Sequence, residues 1–285
     1  MISLKTKIKF FLYSLKNPLL LLLAIKCLTR KNIYVEKARV SKKLYYLLKK
    51  LYGYQSFSVS TTGALILYYE KYVVKIPLGK VSSESLFENL KNYLALKKSS
   101  IQEFVNYELS KEDEYYIMER LKPANISNIE VETIILELSN NTNEVKLKDI
   151  QEKVFPNISR LERIIKTKIF LSPDIKIKSC YMHGDLTKDN IMKNQNGDII
   201  LIDLDRFTFN GIKGLDYLHY KVDKNSKLQG IDFFDFLKNN NNEDKNFLYL
   251  YLLYRICNEY NDGILLNSMY YSKMKKCLEI LNPKM

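Results

Sequence analysis

The sequence predicts an α+β fold in two parts: a small antiparallel sheet carrying one helix, then a larger, mostly helical part with one hairpin. Three observations predict it. Apolar and β-branched residues alternate from Gln55 to Gly79. Helical spacing takes over at Ser82, and an Asn196-Gly197 pair lies further on between two short apolar runs. At 285 residues with 46% hydrophobic side chains, the chain can bury a core as one large domain or two small ones.

Residues 4–28 mix lysines with Leu, Phe and Tyr and read as helical on either side of Pro18. The net charge of +13 is concentrated here: residues 1–50 hold 13 Lys+Arg against Glu36 alone, whereas residues 51–285 hold 32 bases and 31 acids. A segment of this kind can lie on an anionic membrane surface, or it can pack its leucines on the body. Nucleic acid is not the expected partner, because the segment is aliphatic between its lysines and has only two arginines, Arg30 and Arg39. Its longest apolar run, Pro18 to Ile25, is too short to span a bilayer. Cys27, Cys180, Cys257 and Cys277 are scattered without a CxxC, which suits reduced thiols in a cytoplasmic protein better than a disulfide framework or zinc site.

Three short strands are expected at 56–60, 64–69 and 72–76, and a helix from Ser82 to Lys98 with acids in its first turn. Tyr115–Glu119 is a further strand. The stretch 129–171 reads as helical, Ile175–Met182 as extended, and 230–238, 244–260 and 265–281 as helices, the middle one apolar nearly all round. The expected division is a basic segment 1–50, a sheet-bearing lobe 51–121 and a helical lobe 122–285.

The chemistry is concentrated in Tyr181–Phe207, YMHGDLTKDNIMKNQNGDIILIDLDRF. A two-residue Asn196-Gly197 turn would bring Asn190 and Asp203 side by side at one end of a hairpin. A carboxylate and an amide oxygen converging there suit Mg2+, with nucleotide phosphates completing its shell. Asp185 lies on a loop that Gly184 lets bend, where a base could accept a proton from an attacking hydroxyl. His183 is expected to brace that loop.

His183-Gly-Asp185-Leu-Thr-Lys-Asp-Asn190 fits the H-x-D-x-x-x-x-N catalytic loop of kinases, and Ile202-Asp203 stands at the metal-binding Asp. The Gly after His, and Ile-Asp-Leu-Asp-Arg in place of Asp-Phe-Gly, resemble the aminoglycoside phosphotransferase and choline kinase group of small-molecule kinases. That resemblance implies a bilobal protein-kinase-like fold, with Asp185 as catalytic base and Asn190 and Asp203 as magnesium ligands. Asp205 would be a supporting group or a partner of Arg206, and Lys188 would touch phosphate or solvent. Lys75 resembles the strand lysine that pairs with ATP phosphates, with Glu88 as its partner and Glu84 as the alternative. Ser60-Thr61-Thr62-Gly63-Ala64 stands in the place of the phosphate loop with one glycine in place of three, and Met118, Glu119 and Leu121 in that of the adenine-binding hinge. Asp216 resembles the aspartate that anchors the metal loop from the next helix, and His219 is core or substrate wall. The expected activity is transfer of the ATP γ-phosphate to a hydroxyl of a sugar, polyol or lipid-linked glycan. An aminoglycoside or choline-type kinase and a non-catalytic nucleotide-binding scaffold are the alternatives.

Overall fold

The computed structural model describes residues 42–60, 62–166, 168–169, 171–172, 174–229, 234–236, 244–261 and 276–279. The expected helices within 4–28, most of those at 230–238 and 265–281, Cys27 and Thr61 lie outside the described residues, as does the membrane-surface reading of the N-terminal segment. No helix among the described residues is long and apolar enough to cross a membrane. The chain divides into two compact units, residues 1–122 with 193–200, and residues 123–192 with 201–285.

In the first unit, α1 (Lys42–Lys50) leads into a five-stranded antiparallel sheet of order β1-β2-β3-β5-β4. Its strands are β1 (Ser56–Val59), β2 (Ala64–Tyr68), β3 (Tyr72–Pro77), β4 (Leu109–Lys111) and β5 (Tyr116–Glu119). Alternation sorts the residues onto two faces. Leu65 and Leu67 pair in register with Ile76 and Val74, and α1 inserts Leu44 and Leu48 into the cluster they form. Burying a leucine contributes about 1.5–3 kcal/mol, so the end of the basic segment is held by the body. The other face carries Ala64, Lys75 and Tyr116, and α2 (Lys80–Leu96) packs there through Leu86 and Leu90.

Helix α2 begins earlier than the sequence suggests. Ser82 lies inside its first turn, where its hydroxyl accepts from the N–H groups of Leu78 and Gly79 at 3.1 Å each. That first turn holds no acid.

After the two-residue β6 (Lys122–Pro123), the second unit opens with α3 (Asn128–Leu138). Ser127 and Glu130 form a reciprocal cap: the Ser127 N–H donates to Glu130 Oε2 at 2.7 Å, and the Glu130 N–H to Ser127 Oγ at 3.2 Å. The stretch expected to be helical is then broken by β7 (Asn143–Lys146), before α4 (Leu147–Val154) and α5 (Ile158–Ile165). β7 has no apolar alternation because charge pairing marks it instead, as in Lys176–Glu144 at 2.8 Å across the ladder to β8. β8 (Lys176–Met182) is the centre of a sheet of order β11-β8-β7, with β11 (Thr208–Ile212). Helices α6 (Leu215–Gln229) and α7 (Lys245–Asn261) follow. α7 is largely buried from Leu248 to Cys257, and Leu248, Leu252 and Ile256 join Leu147, Leu215 and Leu218 in one core. Cys180, Cys257 and Cys277 are buried and form no disulfide; burial pushes the Cys257 thiol up to about 12.

The hairpin is β9 (Ile191–Lys193) and β10 (Ile199–Leu201). Its turn differs from the two-residue form expected. A two-residue type I′ turn needs positive φ at both central residues, but Asn196 does not have it, while Gly197 does at +88°. The Gly197 N–H instead donates to the Asn194 carbonyl at 3.2 Å, and the Asn194 N–H to that of Asp198 at 3.1 Å. This closes a three-residue loop with Gly197 as the bulge residue. Asn194 is the reason: its Oδ1 accepts from the N–H groups of Asn196 and Asp198, both at 3.0 Å, and its Nδ2 donates to the Asn106 carbonyl at 3.1 Å. Asn194→Ala is expected to cost about 2 kcal/mol, read as a lower urea midpoint.

Candidate active site

Strand β8 ends at Met182 and delivers His183, which is fully buried. The Asp185 N–H donates to His183 Nδ1 at 3.3 Å, so the ring proton is on Nε2, 2.9 Å from the Ile202 carbonyl that it meets. His183 therefore ties the loop to the chain just before Asp203. Gly184 adopts φ +83°, and a Cβ there would collide with the Tyr254 hydroxyl and lie 2.8 Å from the Arg206 carbonyl. The Tyr254 hydroxyl donates to the Gly184 carbonyl at 2.6 Å.

Asp216, in the first turn of α6, clamps the same loop. Its two carboxylate oxygens accept from the His183 N–H at 2.7 Å and the Gly184 N–H at 2.9 Å. Burial raises the Asp216 carboxyl above its ordinary value although these donors oppose it.

These supports fix Asp185. Arg255 Nη1 lies 2.9 Å, His219 Nε2 3.1 Å and Arg206 Nη1 3.4 Å from its Oδ1. The His219 contact is close but off-line for a hydrogen bond, while Nδ1 of that ring meets the Tyr251 hydroxyl at 2.8 Å. Burial alone would raise the Asp185 carboxyl; His219 and the two guanidinium charges outweigh it and hold the group below the usual carboxylate range. Burial and Arg255 lower His219 below its ordinary value, while Asp185 opposes the shift.

Asn190 ends a short 3-10 turn and is buried. Its Nδ2 donates to the Asp185 carbonyl at 2.7 Å. A carbonyl can only accept, so the amide nitrogen must face it and Oδ1 is turned the other way. The Asn190 carbonyl accepts from the Ile202 N–H at 3.0 Å, which sets Asn190 one residue from Asp203 across the hairpin ends. Asp203 is half-buried, with φ 56° and ψ 55°, a left-handed conformation rare outside glycine. A hard carboxylate and an amide oxygen fit Mg2+. No group of three or more His, Cys, Asp or Glu set to hold a metal occurs among the described residues. Asp205 is half-buried, and Lys188 Nζ donates to the Ile126 carbonyl at 3.0 Å.

The first unit holds the remaining candidates. Lys75 is 9% exposed in the central strand β3, on the sheet face that α2 covers. Lysine is almost never buried so deeply without an ionic role. Glu88 binds Lys91 at 2.9 Å and Glu84 binds Lys80 at 3.6 Å, while the buried row of α2 carries Asn89. In the loop between β1 and β2, the Gly63 N–H donates to the Ser60 carbonyl at 3.1 Å and the Ala64 N–H to Ser60 Oγ at 2.9 Å. Thr62 Oγ1 meets Ser60 Oγ at 3.0 Å. Met118 and Glu119 belong to the inner strand β5, with the Glu119 N–H donating to the Glu108 carbonyl at 2.8 Å, and Leu121 is buried beyond its end.

Sequence reasoning missed Arg255, Tyr254 and Tyr251, and placed His219 no closer than core or wall. A signal existed: Arg255 is a lone charge in the apolar run NFLYLYLLYRIC, and a buried guanidinium requires a partner.

The chain is thus an α+β protein with an antiparallel sheet-and-helix unit and a mostly helical unit that carries the Asp185 loop. It is similar in structure to choline kinase LicA from Streptococcus pneumoniae, at 14% identity and TM-score 0.46, over 85% of this chain and 98% of that one. It is similar to the ADP-bound aminoglycoside phosphotransferase APH(2'')-Ib, at 17% identity and TM-score 0.48, over 84% of this chain and 97% of that one. A thermostable mutant of aminoglycoside phosphotransferase APH(4)-Ia is similar at 9% identity and TM-score 0.47, over 84% of this chain and 98% of that one. No family model and no curated protein matches the sequence.

Proposed function

We propose that this chain is an ATP-dependent phosphotransferase that moves the γ-phosphate to a hydroxyl of a small molecule: a sugar, a polyol or a lipid-linked glycan. The observation that carries the proposal is the Asp185–Asn190–Asp203 arrangement. An ionised carboxylate is held on a glycine-bent loop, beside an amide oxygen turned away from the Asp185 carbonyl and a carboxylate set in a strained backbone conformation. Asn190 and Asp203 are assigned to Mg2+, which would neutralise phosphate charge when bound. Lys75 is assigned to the α- and β-phosphates.

Asp185 aims the acceptor hydroxyl. Its depressed pKa makes it a weak base but keeps it ionised at any ordinary pH. That suits phosphoryl transfer through a loose transition state, where the hydroxyl need surrender its proton only late and positioning carries most of the effect. ATP consumption measured across a panel of sugars, polyols, lipid-linked glycans, aminoglycosides and choline tests the proposal. Turnover with none of them, under conditions where ATP and Mg2+ bind, would reject it.

Asp203→Gly separates strain from function. Glycine adopts φ 56° without the roughly 1 kcal/mol that a side chain costs there. The variant should melt within about 1 kcal/mol of wild type yet lose Mg2+-dependent transfer by about 10²-fold or more. Undiminished turnover would remove Asp203 from the site.

A further inference from the structure

We infer that His219 is a positioning residue for Asp185: with Tyr251 behind it, the ring anchors Oδ1 of the carboxylate and leaves Oδ2 to meet the acceptor hydroxyl. This rests on the phosphotransferase reading above and adds to it which oxygen takes the hydroxyl and what holds it there.

A carboxylate is two-fold about its last torsion, and that torsion is soft. An unsupported aspartate offers either oxygen over a broad range of angles, whereas in-line transfer needs one oxygen in one place. The surroundings of Asp185 break the symmetry. Arg255 Nη1 at 2.9 Å, His219 Nε2 at 3.1 Å and Arg206 Nη1 at 3.4 Å all lie against Oδ1. Among the described residues, the polar contact of Oδ2 is Asn190 Nδ2 at 3.5 Å. The side chains of His219, Arg206 and Arg255 are 8%, 13% and 16% exposed, against 34% for Asp185, so Oδ1 is the enclosed oxygen.

Of the three groups, His219 is the one committed to this carboxylate. Arg206 and Arg255 each take part in further interactions, so their charge is shared beyond Asp185. His219 is buried on α6; its Nδ1 meets the Tyr251 hydroxyl of α7 at 2.8 Å, and its Nε2 faces Oδ1. A lone pair on Nε2 at that distance from a carboxylate oxygen is repulsive, so Nε2 carries a proton. The neutral ring with its proton there and the doubly protonated ring both meet that condition. Asp216, one turn earlier on α6, is no rival acceptor, because both of its oxygens are engaged by the His183 and Gly184 amides. Nε2 is buried and off-line, so its proton makes no hydrogen bond in this structure. Leaving a buried donor unpaired is costly. A small turn of the carboxylate, with Oδ2 drawn to a hydroxyl, brings Oδ1 into line; hydrogen bonds of this kind often tighten only when the substrate is bound.

The chain has two histidines, His183 and His219, so nitrogen NMR of the isotopically labelled full chain reads the two rings, and the spectrum of His219→Gln assigns them. His219 is expected to carry a proton on Nε2; a bare Nε2 overturns the inference, whatever the turnover. Turnover is read as ATP hydrolysis with Mg2+, water standing in for the acceptor. His219→Asn, whose amide reaches the place of Nδ1, should lower kcat by about 10²-fold without changing KM for ATP. His219→Gln, whose amide N–H reaches the place of Nε2, should recover most of the rate. Tyr251→Phe leaves the ring without its support and should lower kcat by about tenfold; it replaces His219→Asn where that variant does not fold, as judged by its melt. Equal losses in the Asn and Gln variants overturn the inference, because a ring that only fills space is missed equally in both. A wild-type chain that fails to bind a non-hydrolysable ATP analogue with Mg2+ rejects the phosphotransferase reading itself. Analogue binding with a bare Nε2, or with equal losses, rejects only the role of His219.

Discussion

Asp185→Asn is expected to lower phosphotransfer by about 10³-fold while leaving ATP binding in place. The amide keeps the shape of the carboxylate, but it cannot hold a hydroxyl through a full negative charge or take up its proton. The substitution also strips Arg206, Arg255 and His219 of the charge they share. Because Asp185 is one-third exposed, the stability loss should fall near 1–3 kcal/mol, below that of a fully buried pair. The pH dependence carries a definite sign. Folding lowers the Asp185 carboxyl, so the unfolded chain takes up the proton more readily. The stability it contributes is complete above the unfolded value, about 3.9, and is lost as pH falls through the lower folded value. Urea melts between pH 7 and pH 3 should therefore be flatter below about pH 4 in Asp185→Asn than in wild type. Parallel curves would show that the cluster stabilises nothing, and wild-type turnover would remove Asp185 from the reaction.

The features legible in the sequence are those held by neighbours in the chain. The alternation around Leu65, Leu67 and Val74 fixed the sheet, since each strand meets the next after a short turn. His183, Asp185, Asn190 and Asp203 were visible for the same reason: one loop and one hairpin carry them all. Turn type was harder, because Asn194, two residues before the Asn-Gly pair, binds the amides of Asn196 and Asp198 and so selects the longer loop. β7 was invisible to a hydrophobic pattern because lysine and glutamate pair along it. Most obscure were the partners of Asp185. Arg255 lies 70 residues away, and only the packing of α7 brings Tyr251, Tyr254 and Arg255, one helical turn apart, to the Asp185 loop and His219. Helical spacing alone could not tell which side of α2 faces the sheet, so Glu88 and the buried Asn89 were indistinguishable from sequence.

Gly184→Ala should have the largest effect on stability. Alanine at φ +83° costs about 1 kcal/mol before any contact is considered. Its methyl group would also press on the Tyr254 hydroxyl and the Arg206 carbonyl, so either the loop or α7 must shift. A total loss of about 2–4 kcal/mol is expected, and a loop displaced by even 1 Å should lower turnover by about 10²-fold through Asp185. Tyr254→Phe offers the control. Alone it removes the hydrogen bond to the Gly184 carbonyl and should cost about 1–2 kcal/mol. Combined with Gly184→Ala it removes the collision with Tyr254 and leaves the two with Arg206, so the double variant should be more stable than the sum of the single losses by about 1 kcal/mol. The rescue must remain partial, because the Arg206 carbonyl and the positive φ are untouched. Strictly additive losses would mean that the methyl group is accommodated without moving Tyr254, and that the loop carrying Asp185 is held chiefly by the Asp216 clamp.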